Sequence, residues 1–133
     1  MLKQIAEEGI YVEITAFRNA GTIKLEDLLK VAVGKKTQNV WVQFFDAGLV
    51  ATWQHMYFAV LNAVTAFKNK RNISKNLAME IMLYASAQRQ IRKAIALMGV
   101  KPTSENVAAV IIGYDLDAVE KVLSAITNAV GVA

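Results

Sequence analysis

The chain has 133 residues, with 15 Lys and Arg against 11 Asp and Glu for a net charge of +4, one Pro, one His and no Cys. Those counts exclude a disulfide framework, a thiolate metal site and a multi-His zinc site, and they predict a single domain over residues 1–133 that buries roughly two thirds of its unfolded surface. The opening MLKQIAEEGI places charges where a signal peptide needs its apolar stretch, and no segment approaches the roughly 18 apolar residues of a membrane span; a soluble, unprocessed, cytoplasmic protein is expected. On that expectation Asn72-Ile73-Ser74 is not a glycosylation acceptor.

In chain order, IYVEITAF (10–17) is β-branched and aromatic enough for a strand. Lys24 to Val31 repeats Leu25, Leu28 and Leu29 at helical spacing behind Thr22, a candidate N-cap. VWVQFF (40–45) reads as another strand, and Trp53 to Phe67 as an amphipathic helix with Met56, Val60, Val64 and Phe67 on one face. LAMEIMLYA (77–85) is apolar round nearly its whole circumference, which predicts a helix buried on every side, with Ser74 as its cap. Ser86 is expected to cap a further helix to Met98, with Ile91, Ala94, Ile95 and Met98 inward and Arg89, Arg92, Lys93 and Ala96 outward. Gly99 before Lys101-Pro102 stops that helix, VAAVII (107–112) suits a fully buried strand, and Asp115 or Asp117 starts a last helix to about Val130. The expected fold is α+β, a small mixed or antiparallel sheet of three or more strands packed with about five helices.

Charge is distributed unevenly along this pattern. Seven basic residues (Lys68, Lys70, Arg71, Lys75, Arg89, Arg92 and Lys93) and one acid, Glu80, lie between residues 68 and 93, a net of +6; the eight basic and ten acidic residues elsewhere net −2. Charge concentrated in this way is either the footprint of a polyanion partner or a solvated set of helix ends and turns. Arg89 and Lys93, one helical turn apart, are expected to project side by side and to be bridged by an anion such as a phosphate, held also by backbone N–H groups behind Ser86.

The last helix carries more apolar surface than one core-facing stripe requires: Ala118, Val119, Val122, Leu123, Ala125, Ile126, Ala129 and Val130. Counting Gly and omitting Tyr, about 57% of the chain is apolar, against a usual 45–50%. The surplus is expected to meet another chain, either a different partner, the isolated protein then being monomeric, or a second copy. His55, Asp46 and Tyr84 are the candidates for acid/base chemistry. There is no P-loop, dinucleotide glycine motif, G-x-S-x-G or carboxylate pair at useful spacing, and a lone helical His is more often packed or capping. A protein without catalytic activity, cofactor or metal is expected, the alternative being a small self-associating enzyme or ligand-binding protein that uses His55 and Asp46.

Residues 72–95 read N-I-S-K-x-L-x-x-E-x-x-x-Y-x-S-x-x-R-Q-I-x-x-A-I, with F-F-D-A and His55 upstream and V-A-A-V-I-I-G downstream. This pattern resembles the family of the small regulatory subunit of the KEOPS complex, the archaeal and yeast relatives of the human PRPK-binding protein. The motif is specific over residues 72–95 and pattern alone aligns over 1–35 and after Asp115; Thr52 stands where the family pattern has Gly. The resemblance implies a non-enzymatic protein that binds the amino-terminal lobe of the complex's atypical kinase/ATPase subunit and the 3′ CCA end of tRNA, supporting threonylcarbamoyladenosine modification. It implies a tRNA-end site around Asn72, Ile73, Ser74 and Lys75 and around Ser86, Arg89 and Gln90, to which the charge window adds Arg71 and Lys93. It implies a kinase contact through the helices near 24–31 and 117–130, and on the latter the apolar positions Val119, Val122, Leu123, Ile126 and Val130 are the candidates.

Overall fold

The computed structural model describes residues 2–5, as backbone only, together with 9–19, 40–50 and 52–130. The helix expected over Lys24–Val31, with its cap Thr22, lies outside the described residues. Four strands form one antiparallel sheet: β1 (Leu2–Ile5), β2 (Ile10–Arg18), β3 (Val40–Asp46) and β4 (Asn106–Gly113), in the order β1-β2-β4-β3. β1, which the sequence reading did not assign, pairs with the start of β2 from Leu2 opposite Glu13 to Ile5 opposite Ile10. Among the described residues there are four α-helices, α1 (Trp53–Lys68), α2 (Leu77–Ser86), α3 (Ile91–Met98) and α4 (Leu116–Val130), and a 3-10 turn at Ala47–Leu49. No helix among them is long and apolar enough to cross a membrane.

β4 is an inner strand, paired with β2 from Tyr11 opposite Gly113 to Arg18 opposite Asn106, and with β3 from Val40 opposite Gly113 to Asp46 opposite Val107. Both faces are covered, which is why its apolar run is continuous rather than alternating. Side chains of period two separate the two faces. Ala108, Val110 and Ile112 join Ile10, Val12, Ile14 and Phe45 against α1 and α2, whereas Val107, Ala109 and Ile111 join Phe44 against Val119, Val122 and Ile126 of α4. The long excursion from β3 to β4 builds one helical layer, and α4 returns over the opposite face.

The helix boundaries correct two expected caps. Asn76, not Ser74, caps α2: its side-chain oxygen accepts from Met79 N–H at 3.3 Å, while the buried Ser74 hydroxyl accepts from Asn76 N–H at 3.1 Å. Ser86 does not start α3; it ends α2, where its hydroxyl, in contact with two carbonyls of its own helix, bonds Met82 O at 2.8 Å. α3 begins behind Gln90, whose side chain makes no capping bond. The reason is the chain's exit from α2, where left-handed Ala87 (φ 55°) and the bond from Gln88 N–H to Leu83 O close the helix before Arg89. Left-handed Lys70 (φ 57°) and the bond from Arg71 N–H to Ala66 O close α1 in the same way. Thr52 adopts extended backbone and caps α1, accepting from His55 N–H at 3.3 Å, so a hydroxyl residue serves at this position in place of Gly.

The expected inward stripe of α3 is also corrected. Ala94 and Met98 are buried, but Ile91 and Ile95 are 41% and 44% exposed. Arg89 precedes the helix and so is not one helical turn from Lys93.

Candidate nucleic-acid interface

The loop joining α1 to α2 is built around a buried acid. Glu80, 1% exposed, sits in the first turn of α2 and turns its carboxylate toward the loop. Ile73 N–H is shared between the two carboxylate oxygens at 3.1 Å each, and Ser74 N–H donates to Oε1 at 2.7 Å. Charge-assisted bonds of this kind satisfy a buried carboxylate that would otherwise be costly. Asn72 Nδ2 donates to Ser74 O at 2.8 Å and tightens the same turn. With its backbone held inward, the loop leaves Ile73 48% exposed and Arg71 and Lys75 exposed. Glu80 was not among the predicted site residues, although its signal was visible as the one acid within a basic window and an apolar helix.

The predicted nucleic-acid residues divide into two groups. Arg71, Asn72, Ile73, Ser74 and Lys75 form the loop before α2, while Ser86, Arg89, Gln90 and Lys93 lie at its far end and in α3. Ten residues of helix separate them, about 15 Å at the α-helical rise. The arrangement is therefore two basic edges at opposite ends of a rod, not two adjacent helix starts. Arg71, Lys75, Arg89, Gln90 and Lys93 are exposed; Ser74 and Ser86 are buried with their hydroxyls committed to backbone partners. Because Gln90 leaves the first turn of α3 uncapped, the N–H groups with no intrahelical acceptor lie at Ile91 to Lys93 rather than behind Ser86.

Two of the acid/base candidates, His55 and Asp46, make contacts with separate backbone and hydroxyl partners. His55 Nε2 lies 2.8 Å from Ala85 O, and since a carbonyl only accepts, the proton sits on Nε2. Among the described residues its buried Nδ1 has no hydrogen-bond partner, and no carboxylate among them orients the ring. Asp46 Oδ1 accepts from Gly48 N–H at 2.9 Å and its Oδ2 from the Ser104 hydroxyl at 2.9 Å, which ties the end of β3 to the loop entering β4. These are the contacts of a helix pair and a turn.

On α4, Val119, Val122 and Ile126 turn their side chains onto the sheet, which removes three of the five residues expected to face the kinase. Leu123 and Val130 are half-buried on one flank of that stripe, and Ala118 and Ala125 on the other; Glu120, Lys121, Ser124 and Asn128 face outward.

A family model described as kinase binding protein CGI-121 matches residues 14–132. The regulatory protein Cgi121 of Methanocaldococcus jannaschii is 44% identical over 59 residues, which is 44% of this chain and 38% of that relative. The matched stretch thus spans well under two thirds of the relative's length.

Proposed function

The chain belongs to the family of the kinase binding protein CGI-121, and from that membership we propose that it is a non-catalytic regulatory subunit of a KEOPS-type complex. In this reading it is cytoplasmic, binds the atypical kinase/ATPase subunit through the segments near residues 24–31 and 117–130, and holds the 3′ CCA end of tRNA while other subunits install threonylcarbamoyladenosine. The family's name supports a kinase partner, and Ala118, Leu123, Ala125 and Val130 on the flanks of α4 are only half-buried, which leaves part of their apolar surface open to a partner. The observation that carries the nucleic-acid half is the Glu80-braced loop: a buried acid fixes the backbone at Ile73 and Ser74 and leaves Arg71 and Lys75 in solvent. Phosphate contacts would come from Arg71, Lys75, Arg89 and Lys93, and base-edge contacts from Asn72 and Gln90.

Affinity for intact tRNA is compared with affinity for tRNA lacking its last three nucleotides. Loss on truncation supports the reading; equal affinities return the basic window to a solvated surface. No turnover is expected of the protein alone, and ATPase activity that survives re-purification and disappears in His55→Ala would favour the enzyme reading.

A further inference from the structure

The outer face of α1 differs from those of α3 and α4. Lys68, its last residue, is the one Asp, Glu, Lys or Arg in sixteen, whereas α3 exposes Arg92 and Lys93 and α4 exposes Glu120 and Lys121; a solvated helix face is normally charged. Gln54, Phe58, Asn62 and Thr65 are exposed on this side, with Leu61 half-buried among them. Phe58 is 59% exposed, more than any other large apolar side chain among the described residues. Its ring is held: it meets Tyr57 edge-on with centroids 6.2 Å apart, and Tyr57 meets Trp53 in the same way, also at 6.2 Å. A ring already ordered loses little freedom on being covered, and an aromatic on a face without charge is the composition of an interface centre.

The order of residues along this face points to what covers it. Gln54, Phe58, Leu61 and Thr65 follow one another at steps of four, three and four, the spacing of a helix-packing seam. Read backwards the seam is Thr65, Leu61, Phe58 and Gln54, so a second α1 running antiparallel sets Phe58 on Leu61 twice in the middle and Gln54 on Thr65 at each end. That is the self-matching a two-fold contact requires, apolar at its centre and hydrogen-bonding at its rim. Charge selects the same direction. Lys68, Lys70 and Arg71 are exposed at one end of the helix; antiparallel pairing holds the two basic ends apart by the helix length of about 24 Å, beyond a Debye length of about 8 Å, and parallel pairing would bring them together. A nucleic acid or a charged peptide finds no counter-charge along the seam itself. We infer that α1 is the contact helix of a two-fold dimer of this chain, paired antiparallel through Phe58 and Leu61. One helix about 24 Å long and about 10 Å wide falls well short of the roughly 800 Å² per partner of a standard interface, so the dimer is weak and concentration-dependent. This goes beyond the KEOPS-type reading and does not rest on it.

The chain has no Cys, so cysteines placed at the exposed ends of the seam report on the pairing alone. Gln54→Cys and Thr65→Cys are oxidised separately and as a mixture. In the antiparallel dimer each position faces the other and lies about 16 Å along the helix from its own copy, too far for a disulfide, so the mixture should cross-link about tenfold faster or more than either variant alone. Equal rates mark random collision or another register and overturn the dimer. Sedimentation velocity across a dilution series should move the wild-type mass toward that of a dimer as concentration rises. Phe58→Glu, at an exposed site and checked by circular dichroism for an unchanged fold, should raise the dimer Kd about tenfold or more. A wild type monomeric at every concentration, or association unchanged in Phe58→Glu, overturns the dimer. Dispersal by Leu123→Arg but not by Phe58→Glu assigns the association to α4 and overturns it too. Loss of kinase or tRNA binding in Phe58→Glu with no change in mass gives this face to that partner, and the dimer again fails.

Discussion

Glu80→Gln isolates what the buried carboxylate contributes, because it keeps the side chain's shape and removes its charge. In the native loop Ser74 N–H meets Oε1 at 2.7 Å and Ile73 N–H is shared between both oxygens at 3.1 Å. A glutamine keeps one oxygen, which at the Oε1 position still accepts from both Ser74 N–H and Ile73 N–H, while the Oε2 half of the shared Ile73 bond is lost. Its amide nitrogen then faces Ile73 N–H, donor against donor. Weakening one charge-assisted bond to a neutral one costs about 1 kcal/mol, and leaving a second backbone donor poorly satisfied costs about 1–3 kcal/mol, for a total of about 2–4 kcal/mol. Against a typical stability of about 5–15 kcal/mol the variant should still fold. Urea denaturation should show the midpoint falling at constant slope, and hydrogen exchange should show lost protection at Ile73 and Ser74 before the sheet. With the loop loosened, tRNA affinity should fall and kinase binding should not. A stability change under about 0.5 kcal/mol together with unchanged protection at both amides would refute the bracing argument.

Charge reversal at Arg89→Glu, or at Arg71→Glu with Lys75→Glu, should weaken tRNA binding by roughly 1–3 kcal/mol and lower the salt slope by about one for each phosphate no longer neutralised, while Lys35→Glu with Lys36→Glu should do little; titrations across salt concentrations check this. Gly99→Ala would place a Cβ 2.5 Å from Ile95 O, against the backbone of its own helix, and should cost about 1–3 kcal/mol in denaturant melts. Ala87→Gly should add about 0.5–1 kcal/mol, since relief of the left-handed conformation outweighs the extra freedom of the unfolded chain; a destabilised variant would contradict that balance. On α4, Leu123→Arg or Ala125→Arg should weaken kinase pull-down with the fold retained. Deleting residues 117–133 should unfold the protein by uncovering Phe44, Val107, Ala109 and Ile111, a loss readable by circular dichroism.

The sequence by itself determined the α+β class, β2, β3 and β4 within a residue or two though not β1, the buried centre of the sheet and the concentration of charge. Each of these is written locally: β-branched alternation marks β2, the uninterrupted Val107–Ile112 run marks a strand covered on both faces, and charge is counted without knowing the fold. The motif from Asn72 to Ile95 was equally legible, and with it the family.

What tertiary structure decided lies at the joints. Ser74, Asn76 and Ser86 are all acceptable caps by residue type, and the choice among them followed from where Glu80 draws the loop and where Ala87 turns the chain. Ile91 and Ile95 fit an inward stripe by spacing, yet α3 is only eight residues long and meets the core along Ala94 and Met98. On α4, apolar spacing marked a broad face, but only packing against Phe44 and Ile111 selected Val119, Val122 and Ile126 as its core and left the flanks. Periodicity states which residues share a face. It carries no term for what another segment, distant in the chain, presents to that face, and that pairing divided core from candidate interface here.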